Sequence, residues 1–105
     1  MDYGLLYEIS NLYLRAGAKE KYNKFAADVE KLALAKLEQD PDDVQSFYNP
    51  YRVLIDVYEA QGRNDKLLEI WQKLGDKFPQ DPNVQANIQK YRTLVQGKVD
   101  TTKTK

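Results

Sequence analysis

Residues 54–65 read LIDVYEAQGRND, and residues 9–20 read ISNLYLRAGAKE. A shift of 45 positions lays Tyr13 on Tyr58, Gly17 on Gly62 and Ile9 on Leu54. In each phrase an aliphatic residue leads to a tyrosine, and four positions later to a glycine. Apolar residues at three and four spacing mark one face of a helix. Glycine accepts the left-handed conformation needed just past a helix end. Each phrase therefore predicts a helix closed by a glycine turn with a second helix behind it. Neither phrase contains a reactive group.

The same reading extends outward. The first helix carries Leu5, Leu6, Ile9, Leu12, Tyr13 and Ala16 as its expected apolar face. A second helix is expected from Ala18 to Glu38, with Tyr22, Phe25, Ala26, Val29, Leu32, Ala33 and Leu37 inward. Asp40-Pro41 stops it, since proline cannot continue a helix. Residues 42–49 leave two alternatives: a short turn carrying Val44, Phe47 and Tyr48, or one helix from Asp42 to Gln61 kinked at Pro50. Asn49-Pro50 reads as an N-cap followed by proline at the first helical position. The third helix then shows Tyr51, Leu54, Ile55 and Tyr58, and ends at Gly62. Asn64 is the expected cap of a fourth helix carrying Leu67, Leu68, Ile70, Trp71, Leu74 and Phe78. Gly75 inside it costs about 1 kcal/mol relative to alanine unless close packing demands a small residue. Pro79 ends that helix. Asp81-Pro82 opens a fifth, with Val84, Ile88, Tyr91, Leu94 and Val95 apolar and Gly97 as its end. Residues 98–105 read as a disordered polar tail. No strand-like alternation occurs, so the expected fold class is all-α.

Composition limits the chemistry. The 105 residues fit one small domain. Sixteen basic and sixteen acidic residues cancel to a formal net charge of zero, which argues against a broad nucleic-acid or anionic-lipid surface. The lysines at 19, 21 and 24 are interspersed with Glu20, Asp28 and Glu30, as on a solvated face. The chain has no cysteine and no histidine. A thiolate nucleophile, a zinc–sulfur site and the commonest general base are thereby removed. No apolar run is long enough for a membrane span, and the N-terminus lacks the pattern of a signal peptide. The cytoplasm is the default expectation. Helical periodicity begins almost at residue 1, which suits an excised domain as well as a compact whole.

A helix–glycine–helix–proline unit written twice is the mark of a helical repeat. The second copy resembles the tetratricopeptide repeat, with Tyr51, Leu54, Tyr58, Gly62, Leu67, Trp71, Leu74 and Pro79 at that family's offsets. Leu67 and Leu74 stand where the family places small residues, which implies looser packing of the paired helices. The first copy matches in Leu6, Ile9, Tyr13 and Gly17. From Gly17 to Pro41 is 24 positions, against 17 from Gly62 to Pro79, so the second helix is expected to be about two turns longer. The resemblance implies a short array of antiparallel hairpins: repeat one at about 3–41, repeat two at about 48–81, and a capping helix at 82–97. The phrases YNPYRVLIDVYEAQG and EKYNKFAADVEKLALAKLE loosely resemble C-terminal helical tails of bacterial membrane proteins related to protein O-mannosyltransferases. That resemblance implies a soluble appendage of a larger membrane-embedded, glycosyltransferase-like enzyme.

The repeat resemblance also implies a function: a non-enzymatic protein-interaction module whose first and third helices line a groove. By residue-for-residue placement the groove presents Tyr7, Asn11, Arg15, Asn49, Arg52, Asp56 and Glu59. Asp56 and Glu59 would repel a terminal carboxylate, so a mixed or basic peptide segment is the expected partner. Asn11 against Asp56, and Leu14 against Glu59, are where the two copies differ. Of the eight tyrosines, Tyr13, Tyr22, Tyr51, Tyr58 and Tyr91, with Trp71, fit helix interfaces; Tyr7 lies off the stripe. A catalytic pairing of Asp56 with Glu59 has no metal cluster or nucleophile near it, and Arg52 with Asp56 reads as a solvated i,i+4 ion pair. No cofactor is expected. Self-association through the first helix is a further possibility.

Overall fold

The computed structural model describes residues 3–103, with side chains described for residues 3–97. Those residues form five α-helices: α1 (Tyr3–Arg15), α2 (Lys19–Gln39), α3 (Pro50–Gln61), α4 (Asn64–Lys77) and α5 (Pro82–Lys103). The described residues contain no strand, and the all-α expectation holds. None of the described helices is long and apolar enough to cross a membrane. The chain divides into two compact units, Met1–Val57 and Tyr58–Lys105, with the boundary inside α3.

The repeated phrase is a repeated helix stop. At the end of α1, the Ala18 N–H donates to the Tyr13 carbonyl at 2.9 Å and the Gly17 N–H to the Leu14 carbonyl at 3.1 Å. At the end of α3, the Arg63 N–H donates to the Tyr58 carbonyl at 3.0 Å and the Gly62 N–H to the Glu59 carbonyl at 3.2 Å. This paired pattern is the Schellman motif, and it needs a left-handed residue past the helix. Gly17 (φ +76°) and Gly62 (φ +68°) supply it. The glycine recurs because the motif needs its left-handed backbone; the tyrosine lends the motif only a main-chain carbonyl.

In the first unit α1 and α2 pack as an antiparallel hairpin. The α2 face is Tyr22, Ala26, Val29, Ala33 and Leu37, as expected. Helix α2 has 21 residues and α4 has 14, which gives the expected two extra turns. The face of α1 is a correction. Gly4, Tyr7 and Ser10 are buried, while Leu5 and Leu12 are 54% and 58% exposed. Ser10 can enter the core because its hydroxyl donates to the Tyr7 carbonyl at 2.7 Å and so carries no unmet bond inward. Gly4 is required there, since a Cβ on it would stand 2.8 Å from the Tyr48 ring.

Residues 40–49 form turns and bends, among them a turn around Phe47 and Tyr48 closed by the Asn49 N–H donating to the Ser46 carbonyl at 3.0 Å, and the kinked long helix is not present. Asn49 caps α3: its Oδ1 accepts the Arg52 N–H at 3.0 Å. Pro50 follows as the first helical residue, where its missing N–H costs nothing.

In the second unit α4 and α5 pack as a hairpin, with Leu67, Ile70, Leu74, Val84, Ile88 and Tyr91 buried. Gly75 lies where the two helices approach; a Cβ there would stand 2.6 Å from Ile88 Cδ1. Asp81 caps α5 by accepting the Asn83 and Val84 N–H groups at 2.9 and 3.2 Å. Asn64 is not a cap. It is the first residue of α4, and the preceding Arg63 makes no side-chain cap bond. The glycine turn already delivers the backbone into helix there, with the Asn64 N–H donating to Gly62 at 3.1 Å. Phe78 and Leu94, expected inward, are 39% and 44% exposed. Helix α5 also runs past Gly97 to Lys103, so the expected end at Gly97 and the first part of the expected tail, residues 98–103, are helical. Gly97 has no positive φ, and an interior glycine weakens a helix without breaking it. Thr104 and Lys105 lie outside the described residues.

Candidate functional site

The seven residues expected to line one groove have diverging roles. Tyr7 is buried, and its hydroxyl donates to the Asp56 carboxylate. The bond ties α1 to α3 within the first unit. Burial first, and the Asp56 hydrogen bond second, push the Tyr7 phenol from 10.0 up to about 12. The Asn11 amide stands beside the same hydroxyl and acts in the opposite direction. Tyr22 is likewise raised, by burial and then by the Asp56 charge. Tyr7, Asn11 and Asp56 thus form a polar joint between two helices, with Tyr7 buried and Asn11 and Asp56 half-buried.

Asn49 is also committed internally. Besides capping α3, its Nδ2 donates to the Ser46 carbonyl at 3.0 Å. Arg15 is exposed in the last turn of α1. Arg52 is exposed and lies over the Phe47 ring at 4.7 Å, not in an ion pair with Asp56. Glu59 belongs to the second unit, where it accepts the Tyr91 hydroxyl at 3.2 Å. Burial, then the Glu59 charge, raise the Tyr91 phenol.

A different concavity lies in the first unit. An open groove of about 570 Å³ is lined by Tyr3, Leu32, Lys36, Asp43, Phe47 and Tyr48, with Ala35, Gln39 and Ser46. Its wall is the segment between α2 and α3, and local bonds fix that wall. Asp43 Oδ1 accepts the Gln45 and Ser46 N–H groups at 3.3 and 3.1 Å. The Ser46 backbone bond, with its hydroxyl, holds the Asp43 carboxyl below its ordinary range, so it is charged at neutral pH. Tyr48 is held at three points: its carbonyl accepts the Tyr3 hydroxyl, its own hydroxyl donates to Glu8, and its ring fills the space over Gly4.

Phe47 is the exposed consequence. With Tyr48 turned inward, the neighbouring ring points outward and is 63% exposed. It meets Tyr48 edge-on at 4.7 Å, and Arg52 covers it at 4.7 Å. Cation–π contact on one side and an edge contact on the other hold the ring in place without burying it. Lys36 pairs with Asp40 at 3.9 Å, so the groove carries charges of both signs.

The sequence assigned Phe47 only to a helical turn; its exposure follows from the distant seat of Tyr48. Among the described residues, no group of three carboxylates is gathered that could hold a metal ion. No protein-family model, curated protein or solved structure matches the chain.

Proposed function

We propose that this chain is a protein-interaction module and that its first unit receives a partner segment in the groove beside Phe47. The groove expected between the first and third helices is replaced in this reading, because Tyr7 and Asp56 join those helices directly. The observation that carries the proposal is the fixed and exposed Phe47 ring at the edge of a groove bearing Lys36 and Asp43. A large aromatic left in water costs hydration free energy that a partner's apolar side chain recovers. The fitting occupant is a segment with one aliphatic or aromatic anchor, an acid placed to reach Lys36, and a base placed to reach Asp43. The tetratricopeptide-like reading belongs to the same proposal, and the matched glycine stops after α1 and α3 support it.

A peptide-display selection against the immobilised protein tests the reading. The wild type is expected to enrich anchored, mixed-charge segments, and Phe47→Ser and Lys36→Glu are expected to lose them. Equal enrichment by the wild type and both variants would remove the groove from consideration.

A further inference from the structure

We propose that the outward face of α1 pairs antiparallel with the same face of a second copy of this chain. The face is the stripe that the core left uncovered. Leu5 and Leu12 are more than half exposed, Ala16 just past the helix end is exposed, and Ile9 is partly covered. Their spacing is four, three and four, which is the a/d seam of a two-stranded coil. Leu5 and Leu12 take the d positions; Ile9 and Ala16 take the a positions.

An antiparallel two-fold pairing sets every a residue against a d residue. Ile9 then faces the partner's Leu12, and Leu5 faces the partner's Ala16. The register leaves no seam position unmatched. The charges decide for a second copy over an unrelated helix. Both g positions beside this seam are charged and opposite in sign: Glu8 and Arg15. Antiparallel pairing brings g against g, so Glu8 meets the partner's Arg15 and Arg15 meets the partner's Glu8. The surface is complementary to itself, as a two-fold interface requires. Both residues are exposed, and Arg15 makes no ion pair with the described residues. The Tyr48 hydroxyl holds Glu8 at the rim of the stripe. The opposite flank, Leu6 and Tyr13, is half-covered, and the Lys21 ammonium lies over the Tyr13 ring at 5.6 Å.

Sedimentation equilibrium over a range of concentrations tests the pairing, with circular dichroism to confirm that each variant is folded. The wild type is expected to form a dimer and nothing larger, since a two-fold contact closes at two. Leu12→Asp is expected to weaken the dimer by about ten-fold or more, as an unpaired charge enters the seam. Glu8→Lys and Arg15→Glu are each expected to weaken their own homodimers similarly, because each sets like charges opposite one another. An equimolar mixture of those two variants is expected to associate again as a heterodimer with both pairs restored. A wild type that stays monomeric up to about 1 mM, where even a millimolar dissociation constant populates a dimer, overturns the proposal. So does a dimer indifferent to Leu12→Asp and Arg15→Glu, an assembly larger than two, or a mixture no tighter than either variant alone.

Discussion

The Tyr7 hydroxyl donates to the Asp56 carboxylate, and this one bond joins α1 to α3 within the first unit. It also makes stability depend on alkaline pH. In the folded chain the Tyr7 phenol ionises at about 12, against 10.0 when the side chain is free. Above pH 10 the unfolded chain gives up this proton and the folded chain retains it. The unfolded state then binds fewer protons, so stability falls as pH rises. The stabilisation is complete below pH 10 and is lost on the way up through 12. Its full size is on the order of 2 kcal/mol. Urea titrations of wild type and Tyr7→Phe between pH 8 and 12 measure it. The variant is expected to be less stable at pH 8 by about 1–2 kcal/mol and to decline less steeply. Tyr22 and Tyr91, also raised, are present in both proteins, so the difference between the two curves isolates Tyr7.

Asn49 gives a second expectation. Its side chain accepts the third helical N–H of α3 and donates to Ser46. Asn49→Ala removes these bonds together with the longer one from Nδ2 to the Val44 carbonyl at 3.5 Å, and is expected to cost about 1 kcal/mol. Asn49→Asp keeps the cap and loses the Ser46 bond, so it is expected to fall between the two. Had Asn49 served only as a surface contact, denaturation midpoints of all three proteins would coincide.

Local chemistry was legible in the sequence, and long-range seating was not. Gly17, Gly62, Asn49-Pro50 and Asp81-Pro82 each act on neighbours within five residues, so their types alone foretold the stops and starts. The spacing from Gly17 to Pro41 likewise foretold the length of α2. The face of α1 went astray because apolar periodicity counts Leu5, Leu12 and Ala16 and passes over Gly4 and Ser10. Nothing in a hydropathy pattern says that Ser10 bonds to its own helix, or that Gly4 makes room for a ring from residue 48. Phe47 was hidden for the same reason: its exposure is fixed by what Tyr48 does. The bond between Tyr7 and Asp56 was not legible either, since it joins residues 49 positions apart.

Gly75 opposes two effects that can be weighed. Replacing it with alanine favours the helix by about 1 kcal/mol. The added Cβ would stand 2.6 Å from Ile88 Cδ1, in a buried interface. The clashing atom is the end of a flexible side chain and can swing aside, so the overpacking cost falls to the low end of its usual range of about 1–3 kcal/mol and Gly75→Ala is expected to change stability by less than about 1 kcal/mol. Ile88→Val removes the clashing carbon. The double variant Gly75→Ala/Ile88→Val is therefore expected to be more stable than the sum of the single effects. Thermal melts of the four proteins close the cycle, and strict additivity would show that the two helices do not meet at this point.

Two other glycines give opposite signs for one substitution. Gly17 has φ +76° with open space around it. Gly17→Ala meets no neighbour, yet it must hold a left-handed backbone, at a cost of about 1–2 kcal/mol. Gly97 also has open space, but it lies inside α5 without a positive φ. Alanine there removes only the entropy penalty of glycine and is expected to stabilise by up to about 1 kcal/mol. The second measurement decides where α5 ends. A helix stopping at Gly97 would use that residue in the left-handed form, as α1 uses Gly17, and alanine would then destabilise. A gain in helicity and melting temperature for Gly97→Ala means that α5 continues through the glycine toward Lys103; a loss means that Gly97 is its stop.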